Sequence, residues 1–264
     1  MNLRVKTGVC KLTLKEGEYV KAHIIPQALT YPTSKGVGFT EFGSGRKPSR
    51  RWSSWYDQSL VIRQGEDIFS YLDDWAIKFL RRHKLIWKSW DSNNLPITLY
   101  TRLNETHGIR RIENFDGKNL RLFLLSLLWR SCATNLEAFS EIEIPNDSME
   151  KIRLTLIGEQ ADDFMFFPVS LIQLSSKGTV HNHTPLIEHK LIHPMGNTKG
   201  KLIKIIRFYF DGLIIHMHFP NSHLDKDPEN PMILSASSNL VLNTVTWEGS
   251  FQMENLNYVV SESL

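Results

Sequence analysis

The chain has 264 residues, of which 41% are hydrophobic and 22% charged, and its formal net charge is only +3 at pH 7. This length suits one large domain or two small ones, and the total charge is no argument for nucleic acid. The sequence offers neither the roughly 18 consecutive apolar residues of a membrane span nor a signal-peptide core. Its two cysteines, Cys10 and Cys132, give neither a disulfide framework nor a four-thiolate zinc site. We therefore expect a cytoplasmic protein that does not bind membranes.

The first part of the chain predicts short strands followed by a loop. Residues 1–31 are the expected strand region, and residues 11–25 alternate in polarity around a turn at Glu16–Gly17. Residues 32–55 are rich in Gly, Ser and Pro, which indicates a mobile loop. Residues 88–115 give no clear prediction.

Helical spacing marks two long segments in the middle of the sequence. From Ile68 onward apolar residues recur every three or four positions, with Asp67 as the expected cap. Asp73 lies in the amino half of this helix, where its charge suits the helix dipole. The second helix covers residues 117–136 and is capped by Asp116. It is apolar on more than one face, so we expect it at the centre of the core.

The last part of the sequence predicts one more helix and then strands. Residues 145–158 are helical, with Asp147 and Glu150 at capping-box spacing. Two apolar runs flank Asp211–Gly212, which is a strong hairpin signal, and residues 181–194 form an extended linker or edge. The pattern indicates an N-terminal α+β part, a helical middle and a C-terminal antiparallel sheet packed on helices. A boundary near residue 115 would give domains 1–115 and 116–264, unless the chain is one continuous domain.

His23 is the first candidate for chemistry, because it ends the run "GEYVKAH" and is followed by two isoleucines and a proline. The ordinary interpretation is a structural histidine at the end of a strand. The alternative is the base of a small nuclease. In such a module a strand-end histidine deprotonates water, a polar residue orients it, and acids near a helix start hold a divalent ion. Asp57 and Glu66 follow in that order, although a turn aspartate and ordinary helix-terminal charge explain them equally well.

Three stretches, "KAHIIPQAL", "WYDQSLVIRQGEDIFSYLDDWA" and "LRLFLLSLLWRSC", resemble the HNH-like (ββα-metal) endonuclease family with a HIIP motif. The resemblance implies an α+β fold with an N-terminal ββα-metal-like module that acts on DNA phosphodiesters. It makes His23 the general base and Asp57 the residue that orients it or binds metal. Glu66 becomes a ligand to Mg²⁺ or Mn²⁺. The resemblance also implies a bacterial setting of the kind linked with defence.

The same resemblance places zinc-binding positions at Cys10, Thr13, Ile62 and Gly65, of which only the first is a cysteine. One thiolate cannot hold structural zinc, so we expect none, with apolar packing of Ile62 in its place. Ala22 stands where many such modules have a metal-binding acid. A degenerate module that kept the fold and lost the reaction therefore stays open.

Basic residues between positions 35 and 51 are candidates for phosphate contacts, because this segment holds five basic side chains and one acid. Those expected to contact DNA are Arg46, Lys47, Arg50 and Arg51. Solvated surface is the alternative interpretation of such a cluster. The leading hypothesis is a metal-dependent HNH-like nuclease. The alternatives are a catalytically inactive scaffold or regulatory subunit with a protein partner, and a nucleic-acid-binding module without cleavage.

Histidines in the second half of the chain form two further groups. His181, His183, His189 and His193 make a loose cluster, while His216 and His218 share one strand face. Two imidazoles at that spacing can bind a metal ion. No acid at recognisable spacing completes such a site, which favours polar residues on a half-exposed sheet.

Overall fold

The computed structural model describes residues 6–31, 39–42, 49–192, 200–220 and 230–261. Two units divide the chain. Unit 1 consists of Met1–Phe39, Arg51–Phe79 and Lys118–Asp162, and unit 2 of Thr40–Arg50, Leu80–Gly117 and Asp163–Leu264. Over the described ranges the fold is mixed α+β, with four helices and a large mixed sheet.

The elements follow one another along the chain in an irregular alternation of strands and helices. The helices are α1 (Arg63–Arg82), α2 (Gly117–Ala133), α3 (Asn146–Leu156) and α4 (Phe251–Ser261). The strands of the first half are β1 (Thr7–Val9), β2 (Glu16–Glu18), β3 (Ala22–His23), β4 (Phe39–Phe42), β5 (Ser49–Arg51), β6 (Tyr56–Asp57), β7 (Thr101–Arg102) and β8 (His107–Glu113). Those of the second half are β9 (Val169–Leu174), β10 (Asn182–His183), β11 (Leu186–Ile192), β12 (Lys201–Phe210), β13 (Leu213–His218) and β14 (Asn239–Val245).

The three helices predicted from the sequence are present, but their ends differ. α1 begins at Arg63, so Asp67 lies inside the helix and the predicted cap was wrong. α2 begins directly after Asp116, as predicted, and ends at Ala133. α3 begins after Pro145 with no side-chain cap, so the predicted capping box was wrong. Its Glu150 instead forms an ion pair with Arg153 at 2.7 Å, within the helix.

The strands of unit 1 are short and pair in two antiparallel sheets. β1 pairs with β2, with Gly8 opposite Gly17. The predicted turn at Glu16–Gly17 was wrong, because both residues lie in β2 and the chain reverses earlier, where the amide of Cys10 donates to the carbonyl of Lys15. β3 pairs with β6, with His23 opposite Tyr56. The chain then enters α1, which buries a stripe of apolar side chains at Phe69, Leu72, Ala76 and Leu80.

Unit 2 is built on a seven-stranded sheet of order β11-β12-β13-β9-β14-β8-β7. Every neighbouring pair is antiparallel except β14 with β9, so the sheet is mixed. The predicted hairpin is confirmed, since Asp211 and Gly212 join β12 to β13 with φ values of 54° and 85°. β7 and β8 come from the segment that gave no clear prediction. β4, β5 and β10 form a separate three-stranded sheet.

Each unit has its own apolar core. In unit 1, α2 is buried on several faces, as predicted; its fully buried members include Phe123, Leu127 and Leu128. In unit 2 the core cluster is rich in aromatic residues and includes Trp87, Trp90, Tyr209, Trp247 and Leu256 of α4. Over the residues that the structure describes, no helix combines the length and the apolar character that crossing a membrane requires.

Candidate active site

His23 lies at the end of β3 and is only partly buried. Its ring meets the ring of Tyr56 edge to face at 6.3 Å, as expected for residues paired across two strands. Burial lowers the pKa of His23, the charges of Lys21 and Arg130 lower it further, and Asp73 opposes them. The imidazole is therefore neutral near pH 7, which is the form that accepts a proton.

Asp57 faces away from His23. In the antiparallel register Asp57 lies opposite Ala22, and alternate residues of a strand point to opposite faces. Its Oδ1 accepts bonds from the amide and the hydroxyl of Ser59, both at 2.7 Å, and its Oδ2 accepts the hydroxyl of Thr134 at 2.7 Å. Burial raises the pKa of Asp57, but these hydrogen bonds outweigh it and leave the pKa below its usual value. The contacts are those of a turn aspartate and do not support a role in orienting His23.

Glu66 lies in the first turn of α1. Its Oε2 is buried and has no hydrogen-bond partner among the described residues. Burial raises the pKa of Glu66 to about 7, Asp73 adds to the rise, and Arg130 opposes it. Because Arg130 and Asp73 also shift the pKa of His23, both titratable groups lie within electrostatic reach of the same ion pair.

Arg130 of α2 links the elements that carry these groups, and the sequence analysis assigned it no role. Its two terminal nitrogens donate to the two oxygens of Asp73 at 2.9 and 2.7 Å. One of them also donates to the main-chain carbonyl of His23 at 2.9 Å. The remaining donors reach the carbonyl and hydroxyl oxygens of Ser126, and the guanidinium lies 4.8 Å from the ring centre of Phe69. Arg130 is 1% exposed, so it fixes β3 against α1 rather than meeting a ligand. An arginine inside an apolar helix was the one signal that could have revealed it.

Two of the positions that the resemblance assigns to zinc, Thr13 and Gly65, lie next to Cys10. The amide of Thr13 donates to Cys10 Sγ at 3.4 Å. A Cβ atom at Gly65 would lie 3.0 Å from the same sulfur. Ile62 is 9% exposed, and a Cβ at Gly17 would lie 3.3 Å from its side chain. Apolar packing of Ile62 is therefore present, as the sequence predicted.

The two predicted metal ligands, Asp57 and Glu66, differ in their hydrogen bonding. Both carboxylate oxygens of Asp57 accept hydrogen bonds, from Ser59 and Thr134, and its side chain lies on the strand face opposite to that of His23. Glu66 alone retains an unpaired oxygen. Among the residues that the structure covers, no three or more His, Cys, Asp or Glu side chains are arranged to hold a metal ion. The described side chains thus offer no ready set of three such ligands, and the Mg²⁺ or Mn²⁺ site that the resemblance implies stays a prediction.

The basic residues predicted to contact phosphate can be placed only in part. Arg46 and Lys47 lie outside the described residues. Arg50 is exposed on β5, and Arg51 is the last residue of that strand, with its side chain outside the description. Their contact with DNA stays a prediction.

The histidines of unit 2 lie in surroundings that the sequence did not indicate. His216 is 2% and His218 0% exposed, so the predicted half-exposed position was wrong. His181 and His183 are also buried, whereas His189 is exposed and His193 lies outside the described residues. Phe251 of α4 stacks on His216 with ring centres 5.8 Å apart, and the rings of His181 and Trp247 are also 5.8 Å apart.

Comparisons with known proteins identified no relative of this chain. No protein-family model matches the chain, and neither the curated proteins nor the solved structures contain a match.

Proposed function

We propose that unit 1 is an HNH-like ββα module that cleaves DNA phosphodiesters, with His23 as general base. The observation that carries the proposal is the position of His23, a partly exposed and neutral imidazole at the end of a strand paired to β6. The chain passes from β6 into α1, so two antiparallel strands are followed by a helix. The grouping of Cys10, Thr13 and Gly65 at the helix start also supports the resemblance.

In this proposal His23 takes a proton from the attacking water, whose oxygen forms the new bond to phosphorus as the bond to the leaving oxygen breaks. Base catalysis by a positioned histidine typically contributes about 10²- to 10⁴-fold. Arg130 holds the strand end of His23 through its carbonyl, without touching the imidazole. The proposal assigns no step to a metal ion, and binding of Mg²⁺ or Mn²⁺ by Asp57 and Glu66 stays a prediction.

The test is cleavage of supercoiled plasmid and of labelled single- and double-stranded DNA, each in Mg²⁺, in Mn²⁺ and in EDTA. His23→Ala should lower the rate at least about 100-fold in every condition where the wild type is active, because the substitution removes the proton acceptor. It leaves the bond from Arg130 to the main chain in place, so the fold should be retained. The matched control is His107→Ala, at an exposed histidine of β8. Equal cleavage by His23→Ala and wild type would exclude this base, and an inactive wild type would exclude cleavage.

Nucleic-acid binding without cleavage is the second candidate, favoured by the full hydrogen bonding of Asp57. It predicts that the wild type binds DNA in EDTA with an affinity that falls steeply with salt, because phosphate contacts release counterions. In that case His23→Ala binds as the wild type does, and no condition yields cut DNA.

A further inference from the structure

One face of the large sheet in unit 2 carries a polar cluster that belongs to none of the roles above. The register places Arg207 of β12 opposite His216 of β13. His218 is two residues further along β13, and Glu188 and Lys190 of β11 alternate on the same side as Leu186, which lies opposite Arg207. Because alternate residues of paired strands share a face, all these side chains project from one side of the sheet.

The contact between Arg207 and His216 decides which nitrogen of the imidazole carries its proton. Arg207 donates from Nε to Nε2 of His216 at 3.3 Å. In a neutral imidazole the hydrogen is then on Nδ1, which is a donor. This Nδ1 is buried and has no hydrogen-bond partner among the described residues. A buried donor without an acceptor is unfavourable, so an acceptor group would stabilise this site.

His218, two residues further along β13, also has one bonded and one unpaired ring nitrogen. Its Nε2 lies 3.0 Å from the hydroxyl oxygen of Ser170, while its Nδ1 is buried without a partner in the part of the chain that the structure covers. The ring centres of His216 and His218 are 6.4 Å apart. Two adjacent imidazoles thus each present an unpaired nitrogen.

Positive charge is in excess around these imidazoles. Glu188 is the carboxylate that acts on Arg207, and their closest atoms are 3.9 Å apart. Burial lowers the pKa of Lys190 and the charge of Arg207 lowers it further, with no described carboxylate opposing them. Burial also lowers the pKa of Arg207, and both cations lower the pKa of His216. Among the residues that the structure describes, two cations face one carboxylate, at 3.9 Å from Arg207, which leaves a net positive charge where water is scarce.

We propose that Lys190, Arg207 and His216 form an oxyanion-binding site that accepts a phosphate group. A phosphate supplies several acceptor oxygens and negative charge, which are what the unpaired donors and the excess cations lack. A metal cation is disfavoured here, because the two basic side chains would repel it. The partial exposure of Lys190 and Arg207 leaves this end of the cluster within reach of solvent. Phe251 of α4 lies 4.0 Å from the guanidinium of Arg207 and holds it in place.

The site stands apart from the proposed nuclease function, because all its residues belong to unit 2. Inorganic phosphate and the phosphate of a nucleotide offer the same chemistry. Stronger binding of AMP than of phosphate would identify a nucleotide as the source, whereas equal binding would identify the phosphate group alone.

The test is calorimetric titration of the full chain with inorganic phosphate, AMP and acetate at pH 7.5, with NaCl added to equal ionic strength. We expect saturable binding of phosphate and at least tenfold weaker binding of acetate. Lys190→Met should weaken phosphate binding at least tenfold. Lys204→Met is the matched control, because Lys204 is on the opposite face of β12, above the ring of Phe219. It should bind within twofold of the wild type.

Two further measurements separate loss of binding from loss of folding. Without phosphate, Lys190→Met should unfold at the same temperature as the wild type or higher, since it removes a half-buried charge without a carboxylate partner. His216→Phe, which keeps the stacking on Phe251, should also weaken phosphate binding while remaining folded. The proposal is overturned if wild-type protein shows no saturable heat with phosphate, if acetate binds equally well, or if Lys204→Met and Lys190→Met lose equal affinity.

Discussion

Two arginines, Arg130 in unit 1 and Arg207 in unit 2, each lie beside a histidine, and their surroundings differ in one respect. Arg130 finds acceptors for its donors: both oxygens of Asp73, the carbonyl of His23 and the oxygens of Ser126. The partners of Arg207 among the described residues are the carboxylate of Glu188 at 3.9 Å and an imidazole nitrogen of His216 at 3.3 Å. A guanidinium whose donors are satisfied inside the protein holds elements together, whereas one with few acceptors is available to a ligand.

The histidines show the same difference. His23 is partly exposed, and the groups near it include a carboxylate, Asp73, that opposes the fall in its pKa. His216 is 2% exposed, and the charges that act on it, Lys190 and Arg207, are both positive. Unit 1 therefore keeps a balanced ion pair near a reachable imidazole. Unit 2 keeps neutral imidazoles beside unbalanced cations.

Removal of Arg130 should cause the largest loss of stability. Arg130→Met should lower the free energy of unfolding by about 3–5 kcal/mol, because it leaves Asp73 without its partner in a largely buried place. Urea unfolding at pH 7 measures this change. Arg111→Met is the control, since Arg111 forms an exposed ion pair with Glu113 at 3.8 Å, and such pairs contribute about 0–1 kcal/mol. A loss below about 1 kcal/mol for Arg130→Met would show that the pair does not hold unit 1 together.

Local signals explain the parts of the fold that the sequence predicted. Asp211–Gly212 needs positive φ at both positions, and few dipeptides other than this type tolerate it. α2 could be placed in the core because its apolar residues surround the helix. The predicted turn at Glu16–Gly17 was wrong because the chain reverses earlier, through a longer segment in which Leu14 has a φ of 59°. Leucine is not a common turn residue, so the sequence did not mark this position.

Contacts between distant residues explain what the sequence could not predict. Arg130 and Asp73 are 57 positions apart in the sequence, and Arg130 and His23, whose carbonyl it binds, are 107 positions apart. For Asp73 the sequence predicts only a favourable interaction with the helix dipole, because its position within α1 is all that the sequence reveals. The direction in which Asp57 points depends on the pairing of β3 with β6, which one sequence does not specify. The role of His23 stays a prediction that the cleavage assay tests, and the metal-binding roles of Asp57 and Glu66 stay predictions.

Acid should destabilise unit 2, because its buried histidines must take up protons. Burial lowers the pKa of His181 to about 4 and that of His218 to about 3. Since unfolded histidine binds a proton near pH 6.5, the unfolded state holds more protons below that pH and stability falls as pH drops towards 4. A pKa lowered from 6.5 to about 4 corresponds to roughly 3 kcal/mol for His181. Urea unfolding at pH 7.5, 6, 5 and 4 measures the loss.

The histidine origin of this acid sensitivity can be checked by one substitution. His218→Asn keeps a polar group near Ser170 but does not titrate, so its stability should fall less steeply between pH 6 and 4 than that of the wild type. If the two curves run parallel over that interval, His218 does not contribute and other groups cause the acid loss.

Glu66 gives unit 1 the opposite and smaller dependence on pH. Its pKa is raised to about 7 in the folded state, so the folded protein binds the extra proton. The stabilisation is present in full below the unfolded value near 4.5 and is lost as pH rises through 7. Because Glu66 is only partly buried, we expect a contribution of about 1 kcal/mol after allowing for solvent screening.

The substitution Glu66→Gln should remove the decline in stability between pH 6 and 8.5, whereas Glu105→Gln, at an exposed position, should retain it. A decline that persists in Glu66→Gln would assign it to another group and would leave the unpaired Oε2 without a titrating role. If the decline disappears only in Glu66→Gln, the two units respond to pH with opposite signs: acid destabilises the unit with surplus cations, and alkali the unit with a surplus carboxyl.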